Sequence, residues 1–150
     1  MTDTARVLFT AAILAASAIS MFAWRVRQID AEQPGRLIGE LRLAQWAALI
    51  LAGVGTVPIG LALAHPTIST AHLDATLGLL FVLIAGLVLQ RDPREALLLV
   101  AGGFVLHALA NLTHRPGWLP IEIAPRWYTV GCSTFDVYLA ALCYWARSRA

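Results

Sequence analysis

Residues 43–64 read LAQWAALILAGVGTVPIGLALA, 22 consecutive uncharged residues between Arg42 and His65. A helix needs about 20 apolar residues to cross a hydrocarbon core of roughly 30 Å. In lipid, only helices and closed barrels satisfy their own backbone, and this run shows no period-two alternation. The stretch therefore decides for a membrane-spanning helix, and the rest of the chain repeats it.

Toward the N-terminus, 18 uncharged residues separate Arg6 from Arg25. Toward the C-terminus, a run from Ile68 to Gln90 is interrupted only by His72 and Asp74, one from Ala96 to His114 contains His107, and one from Trp127 to Ala146 contains Asp136. The expected architecture is an all-α polytopic membrane protein, a single domain over residues 1–150 with spans at about 7–24, 43–64, 68–90, 96–114 and 127–146. Short connections make consecutive helices antiparallel neighbours in a five-helix bundle. Ala16-Ser17-Ala18 also resembles a signal-peptide cleavage site, but apolar sequence continues through Met21, Phe22 and Trp24, which favours a retained span.

Composition agrees. The 150 residues are 59% hydrophobic and 13% charged, with a mean hydropathy of +0.70, whereas soluble domains carry about 25% charged residues. The eleven basic residues are all arginine and nearly balance nine acidic ones, so a net charge of +2 gives no basic face for nucleic acid. Cys132 and Cys143 fall on one helix about 16 Å apart, too far for a disulfide. An all-arginine, alanine-rich chain of this kind points to the inner membrane of a bacterium with GC-rich genes.

The arginines set the orientation. Eight (Arg25, Arg27, Arg36, Arg42, Arg91, Arg94, Arg147 and Arg149) fall on one side and three (Arg6, Arg115 and Arg126) on the other. This places the C-terminus in the cytoplasm and the N-terminus outside. Trp24, Trp46, Trp118, Trp127 and Trp145 all fall near span ends, as an interfacial belt requires. Pro93 is placed to open the fourth helix, and Pro58 to kink the second. Glu32, Arg36 and Glu40 around Pro34-Gly35 read either as a short surface helix or as a solvated loop. Pro116, Pro120 and Pro125 make the outer loop a semi-rigid flap on the membrane surface. Small-residue ladders at Ala11/Ala15, Ala12/Ala16/Ser20 and Ala44/Ala48/Ala52 read as close-packing faces.

Against this background the ionisable residues stand out, because each costs about 2.5–3.5 kcal/mol at the centre of a span. All four histidines, His65, His72, His107 and His114, lie toward the outer ends of helices three and four. His107, Asn111 and His114 share one face at i, i+4, i+7. Thr129, Cys132, Ser133, Asp136 and Cys143 form a matching stripe on helix five. His107 lies about 10 Å and Asp136 about 15 Å below the outer boundary, an offset side chains can bridge. A carboxylate that orients an imidazole in this way is the arrangement of metal-ligating and proton-accepting histidines.

The expected pocket opens outward between helices three, four and five. It holds His107, Asn111, His114, Ser133 and Asp136, with His72 and Asp74 at its mouth. Asp74 sits about 200° around the helix from His72, so the two are not expected to share one site. Asp74 and His114 also sit where the helix dipole favours their charges, and Asn111 is of the type that bonds neighbouring helices together.

Three functions fit this pattern. His107, His114, His72 and Asp136 are the candidate ligands of a divalent metal, either zinc, copper or iron, that activates water toward a lipid-like substrate. The alternative is a non-catalytic accessory subunit, packed in the bilayer against a larger membrane complex or in a homo-oligomer, with His107 and Asp136 as a buried clamp. The third is a haem or quinone site. The seven-residue spacing of His65/His72 and of His107/His114 leaves only about 10 Å between paired ligands, room for one haem and not two. A transport pathway is disfavoured because helices three and four are aliphatic inward of Asp136.

Overall fold

A computed structural model describes residues 3–65, 71–113 and 125–148. It is all-helical among these residues: α1 (Asp3–Arg27), α2 (Pro34–Ala64), α3 (Ala71–Val88), α4 (Pro93–Thr113) and α5 (Arg126–Arg147). The helices α1 to α4 are each long and apolar enough to cross a membrane. α5 has comparable length, 22 residues, but Arg126, Asp136 and Arg147 make it more polar.

The helix ends follow local chemistry. Pro34 and Pro93 stand at first-turn positions, where a missing N–H costs nothing, and the Ala96 N–H bonds back to the Asp92 carbonyl. α2 continues unbroken past Pro58 and ends at His65, whose N–H reaches the Leu61 and Ala62 carbonyls. Segment 114–124, the expected outer flap, which includes His114, Trp118, Pro116 and Pro120, lies outside the described residues.

α2 is the central element and packs against the other four helices. α4 packs on α2, α3 and α5, while α1 packs only on α2 and α5. Large apolar side chains such as Leu79, Leu83, Leu106 and Leu109 point outward, whereas small residues such as Ala44, Ala47, Ala48, Ala85 and Ala101 face inward around Leu43, Leu51, Leu97 and Phe104. This distribution suits a bundle whose surface meets lipid and whose helices are held by close packing.

The closest approach is between α2 and α3. A Cβ at Gly78 would stand 2.5 Å from the Gly55 carbonyl oxygen, and one at Gly55 would stand 2.8 Å from Phe81 Cβ. Gly78 also lies against Ile59, so rising numbers on α2 meet falling numbers on α3, and the two run antiparallel. Of the alanine ladders, Ala44 and Ala48 are buried as a close-packing face requires. Those on α1 are half-buried or exposed, and Ala12, Ala16 and Ser20 line an open groove instead.

At the end where α1 and α5 terminate and α2 begins, Arg36 and Glu40 are both only 4% exposed. Arg36 Nε donates to Glu40 at 2.6 Å, Nη1 to the Val26 and Ile29 carbonyls at 3.2 and 3.4 Å, and Nη2 to the Ala146 carbonyl at 3.1 Å. Neither a solvated loop nor a surface helix describes this segment, because Pro34–Glu40 is the first turn and more of α2 and is folded inward. One guanidinium gathers carbonyls at the C-terminal ends of two other helices. Arg27 supports the same junction, with Nη1 on the Trp145 carbonyl at 2.9 Å and its guanidinium over the Trp145 ring.

Candidate functional site

His107 rises from α4 on the face that carries Val100 and Phe104, and Asp136 from α5 on the face that carries Thr129, Ser133 and Cys143. Both faces are buried because α4 and α5 pack along their length. The two side chains meet with His107 Nδ1 2.6 Å from Asp136 Oδ2. His107 is 2% exposed and Asp136 0%.

The site has asymmetric partners. With a proton on Nδ1 directed at Asp136, that nitrogen has no lone pair for Asn111, whose Nδ2 lies 3.3 Å away. Asn111 Nδ2 instead donates to the His107 carbonyl at 3.1 Å. Ser133 Oγ reaches the Thr129 carbonyl at 2.8 Å and the Ala108 carbonyl across the interface at 3.2 Å. Ser133 thus fastens α5 to α4 one turn from Asp136. Phe81 of α3 meets the imidazole edge to face, 4.7 Å between ring centres.

Asp136 Oδ1 is buried and has no hydrogen-bond partner among the described residues. Buried carboxylate oxygens are normally satisfied, because leaving one bare costs about 1–3 kcal/mol. The dyad therefore offers two unused acceptors: Oδ1 on the carboxylate and, in the Nδ1–H tautomer, Nε2 on the ring. An imidazole fixed by a carboxylate on one nitrogen is prepared to take a proton, a hydrogen-bond donor or a metal on the other.

The structure brings together His107, Asn111, Ser133 and Asp136, four of the residues expected in the pocket. It does not bring in His72, which is exposed on α3 and whose carbonyl accepts from Thr76. Asp74 turns the other way and is 3% exposed, on the same inward stripe as Gly78 and Phe81. α3 and α5 do not pack on each other, so α3 reaches the site through Phe81 alone among the described contacts. Phe81 carries no chemical signal in the sequence. Its i+7 spacing from Asp74 is the one clue that the two share a face.

Among the described residues no group of three or more His, Cys, Asp and Glu side chains is placed to hold a metal ion. His114 lies outside the described residues. Cys132 and Cys143 are free thiols, as their spacing requires.

Fold and site together define a helical bundle with at least four membrane-length helices and a sealed histidine–aspartate pair between two of its elements. Comparison with known protein families, with curated proteins and with solved structures finds no match for this chain.

Proposed function

We propose that this chain is a five-span protein of a bacterial inner membrane, N-terminus outside, whose His107–Asp136 pair is the protein half of an intramembrane metal site. The case for the fifth span is the sidedness of α5. Its polar residues Thr129, Ser133 and Asp136 are buried, while Val130, Val137, Tyr138 and Tyr144 are exposed. The arginine distribution supports the orientation.

The observation that carries the functional reading is the buried 2.6 Å dyad with Asp136 Oδ1 left over. Ionisable side chains inside a membrane mark functional sites by default. Nε2 of His107 would be the donor, with Asp136 as the carboxylate that orients the ring through Nδ1, and His114 is the candidate second ligand. Imidazole nitrogen suits zinc, copper or iron, and a metal held there would supply a bound water for hydrolysis of a lipid-like substrate. A haem is less well matched, since His107 alone among the described histidines is inside the bundle.

One observation favours a second reading, a non-catalytic accessory subunit. Ser133 and the dyad together form a polar clamp between α4 and α5. The two readings separate in one experiment: elemental analysis and a visible spectrum on protein purified in mild detergent without chelator or metal-affinity tag. Near-stoichiometric metal that is lost in His107→Ala supports the metal site. Neither metal nor chromophore in the wild type overturns it and leaves the clamp, to be followed through co-purifying subunits.

A further inference from the structure

α1 and α5 are tied closely at one end and meet at the other through the Phe9 ring against Trp127 and Gly131. At the tied end Trp24 stacks on Trp145, Arg27 bonds to the Trp145 carbonyl, and Ile19, Ala23 and Val26 are buried. The last hydrogen bond between them among the described residues joins Ser20 Oγ and Tyr138 OH. Between it and the Phe9 ring, which lies against Trp127 and Gly131, the helices flank a cavity of about 900 Å³, within the roughly 300–1,000 Å³ typical of ligand sites. Its floor is built of small residues, among them Ala12, Ala16 and Gly131, and its sides of Trp127 and Phe135.

The shape selects the occupant. From Arg126 to Tyr138 the groove runs about 18 Å along α5 at 1.5 Å per residue, close to one leaflet of a core about 30 Å thick. A second transmembrane helix needs a groove continuous through both leaflets, and this one is closed by the Ser20–Tyr138 bond and the tryptophan stack. Among the described residues Arg126 is the one charged residue lining it, at the end away from Ser20 and Tyr138, the end that would face the headgroups. Trp127 packs on Phe9 beside it, an aromatic pair at the level of an interface. The first turn of α5 adds the positive end of a helix dipole.

We propose that this groove is a binding site for one anionic glycerophospholipid, with an acyl chain laid along Ala12, Ala16 and Gly131 and the phosphodiester at Arg126. The site is separate from the His107–Asp136 pair, none of whose residues line it. The lipid completes the packing of α1, whose membrane-length segment is otherwise the least buried of the four apolar helices.

The test is native mass spectrometry of delipidated protein in mild detergent, titrated with phosphatidylglycerol or phosphatidylcholine of identical acyl chains. One phosphatidylglycerol binds per chain, with a roughly five-fold preference over phosphatidylcholine, the factor set by one arginine at an anionic surface. Arg126→Gln, at an exposed helix end, abolishes the preference and retains binding of both lipids. Ala16→Phe and Thr134→Phe, which fill the groove from opposite walls, each weaken both lipids at least ten-fold. Far-UV ellipticity in the same detergent confirms that each variant is folded. Headgroup selectivity unchanged in Arg126→Gln overturns the proposal. So does a wild-type dimer that binds no lipid and that the filling variants dissociate, which would assign the groove to a second copy.

Discussion

Replacing the histidine–aspartate pair one member at a time, and then together, separates what the pair contributes to the fold from what it is kept for. His107→Leu removes the 2.6 Å hydrogen-bond partner of Asp136 and leaves a carboxyl group with no exposure. Asp136→Val strands the imidazole beside Phe81. Breaking a buried pair from one side costs about 3–5 kcal/mol, and an unpaired ionisable group at the centre of a span costs about 2.5–3.5 kcal/mol. Each single variant is therefore destabilised by about 3 kcal/mol, roughly two orders of magnitude in the unfolding equilibrium. The double variant replaces both polar groups with apolar ones. Asn111 keeps its bond to the residue-107 carbonyl, which is backbone and survives the change. Its cost is less than about 1 kcal/mol, because apolar replacements of a whole buried pair are often neutral. The assay is unfolding in mixed micelles titrated with SDS and followed by far-UV ellipticity, run on wild type, both single variants and the double. A double variant as unstable as the worse single one refutes the reasoning, because the pair then stabilises the bundle directly and no functional cause is needed. A stable double variant that has lost its bound metal shows a pair retained for what it binds.

Three further outcomes test the architecture. Gly78→Ala drives a methyl group into the Gly55 carbonyl oxygen and lowers stability by about 1–3 kcal/mol, whereas Gly53→Ala, with open space at its Cβ, is neutral or stabilising by up to about 1 kcal/mol; both are read in the same SDS titration, and equal effects would contradict the close approach of α2 and α3. Arg36→Gln strands Glu40 and frees the Val26, Ile29 and Ala146 carbonyls, at a cost of about 3–5 kcal/mol, and Arg36→Lys does not restore stability because one ammonium cannot reach acceptors on three helices. A reporter fused after Ala150 is active only when it is the kind that works in the cytoplasm; activity of a periplasmic reporter there reverses the proposed orientation.

The apolar runs are legible from the sequence because lipid imposes a length and charge marks their edges, and Pro93 opens α4 where its chemistry allows. The helices overrun those edges: Arg6 and Arg25 lie inside α1, and Arg42 lies inside α2, which begins at Pro34. The inward turn of Arg36 and Glu40 is not legible, since a charged pair beside Pro-Gly reads as solvated until distant carbonyls, such as that of Ala146, are brought to it. Nor is the choice between His72 and Asp74. Their separation around the helix can be computed, but α3 is apolar all round, so nothing local says which of the two turns inward. The alanines of α1 show the same limit: small side chains permit close approach without naming what approaches, and here they floor a groove. His107 and Asp136 are the exception, and the reason is the solvent. In water each polar residue has its own partner at hand, so sequence spacing says little about pairing. In a bilayer, buried polar groups on different helices have few partners except one another. Two deep ionisable residues on helices four and five, offset in depth by only about 5 Å, therefore predict a contact 29 positions apart, which the structure makes at 2.6 Å.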